Sequence, residues 1–182
     1  MALVLFMAPA FATDVTIPIN KDYKYGDMVI HLISVNITDY PMGNVYSPDP
    51  DNTTWPKLVF QYENTGTVAI NGNLQIAFFD AQGNQYPSDK KIVDITMDPV
   101  QPGQKSDVRF VEAAVIPRAT KITSFKVYED FKTTVYNINY DQAITPVPTS
   151  SSTTAGTSPA CCLAFLIPLL IVGVIVAGKL KR

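Results

Sequence analysis

Leu58-Val-Phe-Gln-Tyr-Glu-Asn-Thr-Gly66 and, shortly after it, Leu74-Gln-Ile-Ala-Phe-Phe-Asp80 are the stretches that decide how this chain folds. Leu58, Phe60 and Tyr62 alternate with Val59, Gln61 and Glu63, and Leu74, Ile76 and Phe78 repeat the pattern. Successive side chains of an extended chain point to opposite faces, so this alternation predicts strands with one apolar face. Val108 with Phe110, and Tyr136 with Ile138 and Tyr140, read the same way. Val29, Ile33, Val35 and Ile37 are read as one face of a further strand, with Ser34 and Asn36 on the other. Turn chemistry separates these runs at Asn71-Gly72, Asp80-Ala-Gln-Gly-Asn84 and Gln101-Pro-Gly103. Short strands at this spacing, with no helical period between them, predict an all-β antiparallel sandwich of two sheets.

Outward from that centre, the domain is expected to run from Asp14 to Ala143, long enough to bury a core. Both cysteines of the chain, Cys161 and Cys162, fall outside this range, so no disulfide can staple it. The formal net charge is -2, which offers nucleic acid no attractive field, and no nucleic-acid partner is expected.

The motif order adds a resemblance. A strand ending in Asn64-Thr-Gly66 precedes one ending in Asp80-Ala-Gln-Gly83, then come Val100-Gln-Pro-Gly103, Val108-Arg-Phe110 and a close at Ile116-Pro117. This order resembles the telokin-like immunoglobulin-fold extracellular domains of bacterial and archaeal surface proteins, over roughly residues 26–128. The resemblance implies an immunoglobulin-like sandwich outside the cytoplasm and no assigned activity. The glycines of these turns are expected at positive φ. Residues 40–56 depart from the pattern as a long insertion between two strands.

The two ends read as a targeting system. Ala160 to Gly178 is a run of 19 residues without charge. As a helix it spans roughly 28 Å, close to the hydrocarbon thickness of a bilayer. Pro168 lies within it, and membrane helices tolerate such a kink. Lys179-Leu-Lys-Arg182 follows directly, and a basic flank marks the cytoplasmic side of a span. At the other end, residues 1–12 carry an apolar run and the Ala10-Phe-Ala12 form of a signal-peptidase site. No basic residue precedes the run, so the expectation is a truncated signal peptide or a start farther upstream. Residues 144–159, rich in Ser, Thr and Pro, have little apolar surface to bury and read as an extended, solvated stalk. Cys161 and Cys162 would then sit at the outer boundary of the span, as part of a small-residue helix start or as lipid-modified thiols.

Chemistry is sparse. His31 is the sole histidine and the domain has no thiol, so histidine metal clusters and Cys-His pairs are excluded. Asp49, Asp51 and Asn52 fall short of a calcium loop, and no metal or cofactor is expected. Asn36-Ile-Thr38 and Asn52-Thr-Thr54 are N-glycosylation sequons. The insertion supplies the candidate partner-binding residues Tyr40, Tyr46 and Trp55; Trp55 is alternatively a cover for one end of the core.

The expectation is therefore a non-catalytic surface protein. Its immunoglobulin-like domain would be anchored in the bilayer by residues 160–178 and displayed for adhesion, envelope structure or binding of a protein or polysaccharide. An accessory subunit of a membrane transport or secretion complex is the first alternative, and an extracellular hydrolase working with carboxylates is the second.

Overall fold

The computed structural model describes residues 14–43, 46–113, 116–129 and 131–145. The signal peptide, nearly all of the stalk, the apolar span with Cys161 and Cys162, and the basic tail lie outside the described residues. Among the described residues, no helix is long and apolar enough to cross a membrane.

Among the described residues, ten strands build two antiparallel sheets: β1 (Val15–Tyr25), β2 (Met28–Thr38), β3 (Thr53–Asn64), β4 (Asn73–Asp80), β5 (Gln85–Tyr86), β6 (Ile92–Ile95), β7 (Arg109–Glu112), β8 (Ile116–Pro117), β9 (Ile122–Glu129) and β10 (Lys132–Asn137). The first sheet has the order β1-β2-β3-β7, with β8 paired to the start of β3. The second has the order β10-β9-β4-β5, with β6 also paired to β4. The expected all-β antiparallel sandwich is therefore present.

Alternation selects what fills the space between the sheets. Leu58, Phe60 and Tyr62 from β3 are fully buried, as are Leu74, Ile76 and Phe78 from β4. Ile30 and Leu32 of β2 and Phe125 and Val127 of β9 complete the central layer. Each such side chain contributes about 1.5–3 kcal/mol by leaving water. Tyr136, expected on a strand face, stacks on Phe125 at 5.1 Å between ring centres.

Two expectations about strand faces are corrected. In β2 the register slips between Leu32 and Ser34, so Ile33 is an extra residue and the faces exchange there. Met28, Ile30 and Leu32 point inward before the bulge and Val35 after it; Val29 and Ile33 do not share a face with Val35. Val108, just before β7, and Phe110 on it are exposed, and it is Val111 that enters the core.

The register also fixes the two ends of the sandwich. Val15 lies opposite Ile37, and Thr16 bonds Ile144 in both directions at 3.0 and 2.8 Å, so the chain leaves the domain beside the start of β1. The connection from β2 to β3 lies at this same exit end, because Ile37 pairs with Pro56. The far end carries the β1–β2 turn at Gly26–Asp27, residues 65–72, residues 96–105 and the tip of the β9–β10 hairpin at Phe131.

Candidate functional site

The insertion is shorter than expected and its residues part company. β3 starts at Thr53, so Thr53–Pro56 are strand rather than loop. Pro56 sits where the pairing of β3 passes from β8 to β7, a place where its missing N–H leaves no ladder bond broken. Every residue from Thr53 to Leu58 is buried, which requires cover on both faces of the strand. Trp55 is 1% exposed, so it is a packing residue and not a surface anchor. Tyr40 is about half exposed and Tyr46 is 82% exposed; these two do reach solvent.

Cover on the outer side comes from residues 39–43. Lys57, two positions along the same face from Trp55, is buried; it donates to the Thr38 hydroxyl and to the Tyr40 carbonyl at 3.4 Å. Its ammonium lies 5.3 Å from the Tyr40 ring centre. Burial pushes the Lys57 pKa down, with Glu112 and Asp14 pulling the other way. Glu112, opposite Lys57 on β7, accepts the backbone N–H of Gly43 at 2.6 Å and of Met42 at 3.2 Å. A cation and an anion on neighbouring strands thus strap the loop down.

The sequons differ in setting. Asn52 closes an exposed single turn of 3₁₀ helix, Pro50–Asn52, and donates to Asp49 at 2.9 Å. Asn36 is half-buried in the middle of the sheet, its carbonyl oxygen accepting from Ser34 at 2.9 Å.

His31 lies on the outer face of β2 between two carboxylates, with Nδ1 at 2.7 Å from Asp22 and Nε2 at 2.6 Å from Glu63. Lys105 adds a contact to Glu63 at 3.1 Å, and these bonds, from His31 first and Lys105 next, hold Glu63 below the usual carboxylate range. All four groups are engaged with one another, a stitch across three strands and a loop. Among the described residues, no group of three or more His, Cys, Asp or Glu side chains is placed to hold a metal ion.

The far end was missed by sequence reasoning, because its parts are distant along the chain. Asn64, fully buried, ties it together. Its amide donates to the carbonyls of Val68 and Val100, both at 2.8 Å, and its side-chain oxygen accepts from Gly66 N–H at 2.9 Å. Its backbone exchanges bonds with Gln104 and Gly103. Gly66 does not have the expected positive φ. A Cβ there would lie 2.6 Å from the Asp27 carboxylate, so close approach of the β1–β2 turn requires the glycine. Gly83 and Gly103 do adopt positive φ, at 84° and 70°. On this rigid base stand exposed apolar side chains from three different loops: Val68 at 70% exposure, Met97 at 90%, and Phe131, which is fully exposed. An open depression of about 840 Å³ at this end is lined by Tyr25, Ile70 and Glu129 among others.

No protein-family model matches the chain, and no curated protein matches it. Two solved structures are similar. One is a conserved hypothetical protein from Bacillus anthracis, 10% identical over 69% of this chain and 98% of that one, with a TM-score of 0.45. The other is an uncharacterized β-sandwich protein from Clostridium difficile 630, 14% identical over 68% of this chain and 93% of that one, with a TM-score of 0.44. Identity this low transfers no residue role.

Proposed function

We propose that this chain is a non-catalytic surface protein whose β-sandwich is tethered to a membrane through residues 160–178 and presents its far end to a protein or polysaccharide partner. The tether rests on the uncharged 19-residue run and its basic flank. The finer assignment, to telokin-like immunoglobulin-fold extracellular domains, rests on the order of the Asn-Thr-Gly, Asp-Ala-Gln-Gly and Pro-Gly motifs. The presenting end rests on one observation. The chain leaves the sandwich at Ile144, and Val68, Met97 and Phe131 stand exposed on loops at the opposite end. Apolar groups that stay in water on a stable base are the ordinary mark of an interaction surface.

This reading moves the partner surface away from Tyr40 and Tyr46, which belong to the exit end. Two measurements test it. Protease added to intact cells should remove the sandwich along with a known external marker; survival of the sandwich while the marker is digested rejects the tether. Alanine at Met97 and Phe131 together should weaken association of the cells with their partner while the melting temperature stays unchanged. Full association in that variant, with loss on replacing Tyr40 and Tyr46 instead, would return the surface to the exit end.

A further inference from the structure

The outer face of the second sheet differs in its charge from the outer face of the first. The residues that point outward from β4, β6, β9 and β10 include Val93, Val135, Tyr128 and Lys126. None of the outward positions on these strands carries a carboxylate. The acids on the same strands turn inward: Asp94 binds Arg109 at 2.9 and 2.7 Å, and Glu129 accepts from the Tyr23 hydroxyl at 2.5 Å. The outer face of the first sheet, by contrast, bears Asp22, Glu63 and Glu112.

Two cations on this face are held in fixed places by rings. The Lys126 ammonium lies 3.9 Å from the Phe79 ring centre, and the Lys91 ammonium 4.0 Å from that of Tyr128. A lysine side chain is ordinarily mobile, and a ring beneath the charge restricts where it sits. Phe79 lies opposite Ser124 on β9, four positions from Tyr128. At roughly 3.3 Å per residue the two ring-held charges are on the order of 13 Å apart along the sheet. No small anion spans that distance; a chain carrying repeated negative charges does. Val93 and Val135, each about half exposed, flank the cations with the flat apolar surface that sugar C–H faces pack against.

We infer that the outer face of the second sheet, through Lys91 and Lys126 held on Tyr128 and Phe79, binds an acidic polysaccharide. The occupant is a polymer because of the spacing, anionic because of the charge, and a glycan because the flanks are apolar.

The test uses the full chain in detergent micelles, with polygalacturonate as probe and its methyl-esterified, uncharged form as control. Polyglutamate and a DNA duplex are the competing polyanions. Binding should be specific to polygalacturonate and should weaken as salt rises. It should fall roughly five- to tenfold in the Lys91→Gln/Lys126→Gln variant, the scale of two exposed charge contacts. Phe131→Ala should leave it unchanged, which separates this face from the far end. An unchanged melting temperature and Trp55 emission show that the double variant is folded. Equal binding of the methyl-esterified polymer, equal or tighter binding of polyglutamate or DNA, or an unaffected double variant each overturns the inference. None of these outcomes bears on whether protease reaches the domain on intact cells.

Discussion

Asn64 shows how one side chain can carry a whole end of a domain. With no exposed surface, its amide has no water to fall back on, and its three side-chain bonds satisfy backbone groups of two loops, Gly66 and Val68 in one and Val100 in the other. Replacing it with alanine takes this partner from the Val68 carbonyl and the Gly66 N–H and leaves the Val100 carbonyl only its bond from Ile70, which should cost about 2–4 kcal/mol in urea unfolding. Asn64→Asp keeps the acceptor but points carboxylate oxygens at the carbonyls of Val68 and Val100, so it should lose at least as much. A loss below about 1 kcal/mol for either would mean that water or neighbouring groups replace these bonds. Trp55 supplies a second check. As the sole tryptophan and a buried one, it should emit at short wavelength in the folded protein and shift to the red on unfolding. Trp55→Ala should destabilise by about 3–5 kcal/mol. Emission typical of water in the native state would put Trp55 on the surface, where the sequence alone left it as an open choice.

At the scale of the element, the strap over β3 is the least ordinary feature. Two backbone N–H groups, Met42 and Gly43, depend on the single carboxylate of Glu112. Glu112→Ala should therefore free residues 39–48 while leaving the sheets paired. Hydrogen exchange should quicken at the Met42 and Gly43 amides and a protease should cut within 39–52, with β4 and β9 amides still protected. Uniform loss of protection across all strands would instead make the strap part of the global fold. The strands themselves were largely legible in the sequence, because Leu58, Phe60 and Tyr62 and Leu74, Ile76 and Phe78 alternate without interruption. Where reading failed, a local irregularity hid the pattern. The extra Ile33 exchanged the faces of β2, and Pro56 made the start of β3 look like loop. Lys57 and Glu112 look like solvated residues until register puts them side by side beneath a strap. The far end was illegible for a different reason: Asp27, Asn64, Val100 and Phe131 are brought together only by topology.

For the sandwich as a whole, stability should be bounded by ionisation on both sides. Two carboxylates have lowered pKa values. In Asp80, burial opposes the charge, but bonds from Asn84, Tyr86 and Gln82 outweigh it. In Glu63, bonds from His31 and Lys105 dominate. A carboxylate depressed in the folded state binds its proton more readily when unfolded, so it supports the fold above the unfolded value, about 4. That support is lost as pH falls through the lower folded value. Tyrosines set the opposite limit. Burial pushes Tyr140 up to about 12, and burial with a bond to Glu129 raises Tyr23. Burial with the neighbouring Asp94 raises Tyr62 as well. An unfolded tyrosine ionises near 10, so these groups support the fold fully below about 10 and progressively less as pH rises toward their folded values. The melting temperature should thus hold a plateau between about 5 and about 9 and fall on either side. Glu63→Gln should flatten the acid limb and Tyr23→Phe the alkaline limb, each without touching the other. The two limbs belong to different chemistry, so an acid limb that Glu63→Gln leaves as steep as before would remove the His31 stitch from the account while the tyrosine argument stood.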